Sequence, residues 1–326
     1  MNKILETIEQ ECRFVNQTIG IAGHIRPDGD CFGSTMALYY YLIDAFPEKT
    51  IHLYLEEVPN SFEFFHLSDT IKTKELMEGK LNSLPSYDLF FSLDCGSVDR
   101  LGFVEQLFEQ ATYQICIDHH ISNTNFGKIN YVEPTASSTC EVLYGLLEEE
   151  RIDKKIAMAL YLGIVHDTGV FKHSCTSRKT MEIAGKLIEK GVPFSKIIDE
   201  TFYEKNYMQN QLLGRALLES TLLLNGKVIV THIEKETLDF YGAGSDDLNG
   251  IVDQLRVTKG VEVAIFMYET EPKEYKVSMR VNGNVDVSEV AKHFGGGGHI
   301  KASGCTIKGS YEDVICCLTA KIAEQL

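Results

Sequence analysis

Residues 20–38 have the sequence Gly-Ile-Ala-Gly-His-Ile-Arg-Pro-Asp-Gly-Asp-Cys-Phe-Gly-Ser-Thr-Met-Ala-Leu. The small apolar residues at its start are typical of a buried parallel strand, and the Pro and Gly that follow interrupt that strand. Gly33 and the residues after it indicate the start of a closely packed helix. Ligands of open α/β sheets bind outside the carboxyl ends of the strands. The polar residues of this turn, His24, Asp28 and Asp30, are therefore candidates for a functional site.

Two carboxylates and one imidazole in this turn indicate a metal. Asp28 and Asp30 are two residues apart, so in an extended backbone their side chains point to the same side. Carboxylates held together repel each other unless cations lie between them. With His24 they form a ligand set that suits Mn²⁺ or Mg²⁺. Pro-Asp-Gly-Asp is also ordinary turn chemistry without a metal, so this stretch alone leaves both interpretations open.

Further apolar segments also end in potential metal ligands. Residues 88–94 and 113–118 are predicted strands, and residues 156–165 are a predicted apolar helix. The polar residues at or after their ends are Asp94, Asp118, His119, His120 and Asp167. Strands that end in Asp or His and are followed by helical sequence predict a doubly wound parallel sheet with these residues at one edge. His166, beside the last of them, is interpreted as structural.

Composition limits the class of protein. A chain of 326 residues predicts two domains. Its net charge of −16 argues against binding to long duplex nucleic acid but permits a small phosphorylated ligand. Nine cysteines without a C-x-x-C pair are typical of a reduced, cytoplasmic protein. Neither a signal peptide nor an apolar run of membrane-spanning length is found, so no membrane partner is expected.

The sequence pattern changes after residue 194. Residues 1–194 form the predicted parallel-sheet domain, residues 195–224 a helical linker, and residues 225–326 a smaller α+β domain with a mixed sheet. In the last of these, four consecutive glycines precede His299. Successive glycine N–H groups can turn toward one anion, and Arg280, His299, Lys301 and Ser303 would add donors. A flexible surface loop is the alternative interpretation.

These motifs together resemble a known family. The segments that carry the resemblance are His24-x-x-Pro27-Asp28-x-Asp30, Asp94, Asp118-His119-His120, Asp167-Thr168-Gly169 and the Gly-rich run at 295–304. They are similar to the signatures of the DHH phosphoesterase family and of the DHH-associated C-terminal domain. With only these two domains, the chain is most similar to the nano-RNase (oligoribonuclease) / pAp phosphatase branch.

The resemblance implies a centre with two Mn²⁺ ions, for which Mg²⁺ or Co²⁺ are substitutes. One ion would be held by His24, Asp28 and Asp94, and the other by Asp30, Asp94, His119 and Asp167. Asp94 would therefore bridge the ions, and Asp118 would orient a neighbouring ligand. His120 would face the substrate and act in catalysis. Paired ions of this kind activate water and neutralise charge on a phosphoryl group.

The resemblance also implies the substrates. Arg280, the amides of Gly297 and Gly298, His299 and Ser303 would bind the rest of the ligand. The expected enzyme degrades short oligoribonucleotides to nucleoside monophosphates and converts 3′-phosphoadenosine 5′-phosphate (pAp) to AMP. The alternative is a phosphodiesterase for cyclic dinucleotides or for linear dinucleotides such as pApA and pGpG. Lys172 and Asn282 depart from the family pattern, so ligand preference stays open, as does a homodimeric assembly.

The same residues weigh against other functions of this fold. An inorganic pyrophosphatase would be expected to carry a basic Lys/Arg cluster where this chain has four glycines and His299. A nucleotide sensor with an inactive centre would be expected to lack a metal ligand, and the sequence supplies every ligand of the pattern. Exopolyphosphatase activity is the least favoured of the alternatives.

Overall fold

The computed structural model describes residues 18–58, 62, 65, 70–81, 84 and 86–326. The helix that the sequence predicts at residues 3–16 lies outside them. Contacts divide the chain into two units, Met1–Glu204 and Lys205–Leu326. Among the helices of the described residues, none has the length and apolar character that crossing a membrane requires.

The first unit is built on a parallel sheet, as the sequence predicts. Its strands are β1 (Thr18–Ala22), β2 (Thr50–Leu55), β3 (Ile71–Thr73), β4 (Leu89–Leu93), β5 (Tyr113–Asp118) and β6 (Ile129–Val132). They lie in the order β3-β2-β1-β4-β5-β6, and every pairing is parallel. The continuous apolar runs of the central strands are explained by burial, since every residue of β4 is buried.

Helices connect and cover these strands. They are α1 (Gly29–Ala45), α2 (Lys74–Met77), α3 (Glu105–Glu109), α4 (Thr139–Tyr144), α5 (Lys154–Asp167), α6 (Arg178–Glu189) and α7 (Phe194–Ile198). Short 3₁₀ helices cover Val98–Val104 and Glu149–Arg151, and a π-helical turn covers Asp199–Tyr203.

The start of α1 packs closely on α5. A Cβ at Gly33 would lie only 2.4 Å from the carbonyl oxygen of Ala159, so this contact requires glycine. The N-cap of α1 is Asp28, whose Oδ1 accepts the N–H groups of Asp30 and Cys31, each at 3.1 Å. The close contact brings the first turn of α1 and the body of α5 together.

The second unit contains a mixed sheet. Its strands are β7 (Thr221–Leu223), β8 (Val228–Ile233), β9 (Val263–Glu271), β10 (Glu274–Val281), β11 (Gly297–His299) and β12 (Ala302–Lys308). They lie in the order β11-β12-β10-β9-β8-β7, and the pairing of β8 with β9 is parallel while the others are antiparallel. This agrees with the predicted α+β domain.

The helices of the second unit pack on both faces of this sheet. They are α8 (Tyr207–Leu218), α9 (Lys235–Tyr241), α10 (Ile251–Arg256), α11 (Val287–His293) and α12 (Tyr311–Ala323), with a 3₁₀ helix at Ser245–Leu248. The segment 195–224, which the sequence predicts as helical, also contains strand β7. The strand forms because Thr221 to Leu223 pair with β8 at the edge of the sheet.

Candidate metal centre

The candidate ligands follow neighbouring elements of the first unit. His24 follows β1, Asp94 follows β4, and His119 follows β5. β1 pairs with β4 and β4 pairs with β5, so their carboxyl ends adjoin. The first turn of α1 and the last residue of α5 add Asp30 and Asp167 at the same edge. The structure thus brings together the residues that the sequence singles out from four separate segments.

Asp94 lies between two histidines. Its Oδ2 is 3.4 Å from Nε2 of His24, and its Oδ1 is 3.7 Å from Nε2 of His119. Nε2 of His24 is also 3.7 Å from Oδ1 of Asp28. Asp94 has a left-handed backbone, with φ of 59°, which Asp and Asn adopt more readily than most residues. Its two carboxylate oxygens therefore face different imidazoles.

His119 is surrounded by three carboxylates. Its Nε2 lies 3.1 Å from Oδ2 of Asp167, 3.7 Å from Oδ1 of Asp94 and 4.0 Å from Oδ2 of Asp30. Asp30 is 0% exposed and Asp94 is 2% exposed. Buried carboxylates in such a group need compensating positive charge.

The pKa values of these groups reflect the requirement for positive charge near the buried carboxylates. Burial raises the pKa of Asp30 well above its usual range, and the charges of Asp94 and Asp167 raise it further. Burial opposes the charging of His119, but hydrogen bonding to Asp167 and the charges of nearby carboxylates outweigh it and raise the pKa of His119 to about 10. The cluster therefore attracts protons, and divalent cations would satisfy the same charge. Carboxylate oxygens and imidazole nitrogens fit such ions.

His120 has a different environment from His119. Its Nδ1 lies 2.7 Å from Oδ1 of buried Asp118 and 3.7 Å from Oδ1 of Asp94. Its side chain is 43% exposed, against 19% for His119. The Asp118 carboxylate is held in turn by Nδ2 of Asn123, at 2.6 Å. His120 is thus an oriented imidazole at the open side of the cluster.

The glycine-rich run of the second unit forms an edge strand and not an open loop. In β11, Gly298 pairs with Ser303 and His299 pairs with Ala302 of β12. Ala302 in turn pairs with Arg280 of β10, so His299 and Arg280 share one row across three strands. The hydroxyl of Ser303 donates a hydrogen bond to the carbonyl of His299, at 2.7 Å. The predicted anion-binding residues therefore lie together at one end of this sheet.

Comparisons with known proteins assign the family. The model of the DHH family, N-terminal domain, matches residues 18–164, and the model of the DHHA1 domain matches residues 225–325. This chain belongs to the DHH family. It is a DHH-family phosphoesterase, and the family is metal-dependent.

Relatives of the DHH protein span nearly its whole length. The bifunctional oligoribonuclease and PAP phosphatase NrnA of Bacillus subtilis is 30% identical over 89% of each chain. The protein of the same name from Thermus thermophilus is 26% identical, over 95% of this chain and 92% of the relative. An exopolyphosphatase-related protein of Bacteroides fragilis has a TM-score of 0.87 at 22% identity, covering 99% of this chain and 98% of that structure. The similarity to the Bacteroides fragilis structure supports the fold.

The DHH unit also uses residues that motif spacing does not reveal. The N–H groups of Thr139 and Cys140 donate to Asp30 Oδ2 and Oδ1, at 2.6 and 2.9 Å, and the Thr139 hydroxyl donates to Asp94 Oδ1 at 2.9 Å. From the sequence, Ser137 to Thr139 are predicted only as a helix start, which they are. Their approach to Asp30 depends on tertiary structure, because more than a hundred residues separate them in the chain. Asn123, which holds Asp118, is also missed, although it lies only 5 residues away in the chain.

Two other residues, His166 and Cys31, lie beside the centre. Nε2 of His166 is 2.9 Å from Oγ1 of Thr201, and its ring packs edge-on against Phe62 and Phe202. These contacts agree with its interpretation as structural. The Sγ atom of Cys31 lies close to the ligand atoms of His24 and Asp94, and burial raises the pKa of this thiol well above its usual range. Cys31 thus packs beside the centre, close enough for its Sγ to be a further candidate metal ligand.

Proposed function

We propose that this protein hydrolyses short oligoribonucleotides to nucleoside monophosphates and converts pAp to AMP, with Mn²⁺ as its metal. The observation that carries the proposal is the convergence of one ligand set from separate segments of the DHH unit, namely His24, Asp28, Asp30, Asp94, His119 and Asp167. The names of the relatives from Bacillus subtilis and Thermus thermophilus support the choice of substrates.

The ligand set divides into two groups around Asp94. His24 and Asp28 lie on the side of Oδ2 of Asp94, and His119 lies on the side of Oδ1 with Asp30 and Asp167. In the proposed enzyme each group holds one ion, and Asp94 serves both. Paired ions of this type activate water and stabilise the charge on a phosphoryl group.

His120 is proposed as the residue that acts on the substrate. Its Nδ1 is engaged by Asp118, at 2.7 Å, which fixes the orientation of the ring. A carboxylate partner also favours the protonated imidazole, and the hydrogen bond with Asp118 raises the pKa of His120. In this role the imidazole stabilises the transition state or protonates the leaving oxygen.

The DHHA1 unit is proposed to bind the remainder of the nucleotide. Its residues for this are Arg280, Gly297, Gly298, His299 and Ser303. The cross-strand row of His299, Ala302 and Arg280 supports the proposal, since it places an imidazole and a guanidinium on the same face of the sheet. Arg280 also contacts the carboxylate of Asp253, with 3.4 Å between Nε and Oδ1, and that contact limits its motion. A guanidinium is suited to phosphate recognition.

A substrate panel tests the proposal. The purified protein is incubated with a dinucleotide, a pentaribonucleotide, pAp, pApA, cyclic di-AMP and pyrophosphate, each with Mn²⁺, Mg²⁺ or Co²⁺. We expect monophosphates from the short RNAs and phosphate from pAp, fastest with Mn²⁺. No product from either class would overturn the proposal. A clear preference for cyclic di-AMP or pApA would instead select the dinucleotide phosphodiesterase.

A further inference from the structure

Thr139 forms a hydrogen bond with Asp94, the residue that the two groups of candidate ligands share. Its hydroxyl donates a hydrogen bond to Oδ1 of Asp94, at 2.9 Å. Thr139 is fully buried, and Asp94 is nearly so. A hydroxyl that is buried against a buried carboxylate restricts the rotation of that carboxylate, because orientations that turn both oxygens away from the hydroxyl leave the two groups without this bond.

The rotation of this carboxylate decides which histidine each oxygen faces. With Oδ1 bonded to Thr139, Oδ2 lies 3.4 Å from His24 while Oδ1 lies 3.7 Å from His119. We propose that Thr139 is a positioning residue that holds the Asp94 carboxylate in the orientation needed to serve two ions at once. The inference rests on the proposed two-ion function.

The role belongs to the side chain of Thr139 and can be separated from that of its backbone. The N–H of Thr139 donates to Asp30 Oδ2 at 2.6 Å, and a side-chain substitution leaves that donor in place. Thr139→Val keeps the branched shape and removes the hydroxyl. Thr139→Ser keeps the hydroxyl and removes a methyl group. The pair therefore tests the hydrogen bond against simple packing.

Manganese binding supplies a measurement that does not depend on turnover. The variants and the unmodified protein are titrated with Mn²⁺ by calorimetry, and the loaded proteins are examined by electron paramagnetic resonance. We expect two bound ions and the exchange-coupled spectrum of a carboxylate-bridged pair for the unmodified protein and for Thr139→Ser. For Thr139→Val we expect a second ion that binds about 10- to 100-fold more weakly, as for other residues that orient metal ligands, and a spectrum dominated by isolated ions.

Thr231→Val is a matched control. Thr231 is fully buried on β8, and its hydroxyl has no hydrogen-bond partner among the described residues. This variant makes the same chemical change in the DHHA1 unit and should keep the two-ion titration and the coupled spectrum.

The outcomes separate the inference from the function on which it rests. A folded Thr139→Val protein with the second-ion affinity and spectrum of the unmodified protein would overturn the role of Thr139. An unmodified protein that binds a single ion, or none, would overturn the two-ion proposal itself. If circular dichroism shows that Thr139→Val does not fold, Thr139→Ala removes the same hydroxyl without the branched side chain and is judged by the same two measurements.

Discussion

Nε2 of His119 lies 3.1 Å from Oδ2 of Asp167, although His119 follows strand β5 and Asp167 ends helix α5. The two meet because α5 packs against α1, and α1 begins at the same edge of the sheet. The absence of a side chain at Gly33 permits that packing. The candidate metal centre therefore depends on a helix–helix contact as well as on the order of the strands.

Asp94→Asn should abolish turnover on every substrate. Asp94 faces both His24 and His119, so the loss of its charge weakens both groups of ligands. Since even residues that only orient a ligand are worth about 10- to 100-fold, we expect kcat/KM to fall by at least about 100-fold. Asn tolerates the left-handed backbone at this position, so the fold should persist. Steady-state kinetics and a calorimetric Mn²⁺ titration measure the effect.

Asp99→Asn is the control for that change. Asp99 is exposed on the 3₁₀ helix after β4 and loses the same charge. It should keep normal turnover and metal binding. Normal turnover with two bound ions in Asp94→Asn would show that the ligand assignment is wrong.

Much of this centre is predictable from sequence, because apolar runs that end in Asp or His place those residues at a common edge. Asp94 and His119 follow β4 and β5 in this way. Thr139 is not predictable, since its bond to Asp94 joins residues 45 positions apart and its local pattern indicates only a helix start. Strand β6 is also missed: its residues are only half-buried at the edge of the sheet, so they lack a strong apolar pattern.

In the second unit, the backbone conformation at Gly250 interrupts a helix that the sequence predicts to be continuous. The sequence predicts a helix from residue 247 to residue 259, but the structure has a 3₁₀ helix at Ser245–Leu248 and α10 at Ile251–Arg256. Gly250 separates them with φ of 85°, a left-handed conformation that ends the helical path. The apolar spacing continues through this glycine, so periodicity alone does not show the interruption.

His299→Ala should weaken substrate binding and leave the metals in place. His299 is exposed on β11, in the DHHA1 unit, while the proposed metal ligands belong to the DHH unit. The loss of a hydrogen bond to a charged phosphate is worth about 1.5–3 kcal/mol, so we expect KM to rise by about tenfold or more. His293→Ala, which changes another exposed histidine of the same unit, should behave like the unmodified protein. An unchanged KM for His299→Ala would remove His299 from the substrate site.

Gly298→Ala should disturb β11, the strand that carries His299, because the added Cβ would lie too close to the backbone of β12. Gly298 has φ of 141°, and a Cβ there would lie 2.6 Å from the carbonyl oxygen of Ala302 and 2.7 Å from Cα of Ser303. We expect a loss of about 1–3 kcal/mol in the free energy of unfolding, as for other overpacked positions, together with a higher KM. Urea unfolding and steady-state kinetics measure the two effects.

Gly297→Ala is the matched variant, because a Cβ at Gly297 meets no atom of the described residues within 4 Å. It keeps the backbone N–H that the proposed site uses. We expect its stability to stay close to that of the unmodified protein. An equal loss of stability in the two variants would mean that the close approach of β11 to β12 at Gly298 does not constrain this strand.

His166 should make the stability of the protein sensitive to acid. Burial lowers the pKa of His166 to about 4, whereas an unfolded histidine has a pKa of about 6.5. Between these values the unfolded state binds the proton and the folded state does not, so stability is lost as the pH falls from 6.5 toward 4. His166→Gln keeps a hydrogen-bonding side chain for Thr201 but cannot be protonated. Its stability relative to the unmodified protein should therefore rise by about 2–3 kcal/mol across this range.

Urea unfolding at several pH values, with a chelator present, measures this difference. His293→Gln, an exposed change on α11, should follow the pH profile of the unmodified protein. The contacts of His166 with Phe62 and Phe202 indicate an imidazole that stays neutral in the folded protein. If the free energies of unfolding of His166→Gln and of the unmodified protein differ by a constant amount from pH 6.5 to pH 4, that interpretation is wrong. A structural His166 also requires near-normal turnover of the Gln variant at neutral pH, since no step of the proposed reaction uses this imidazole.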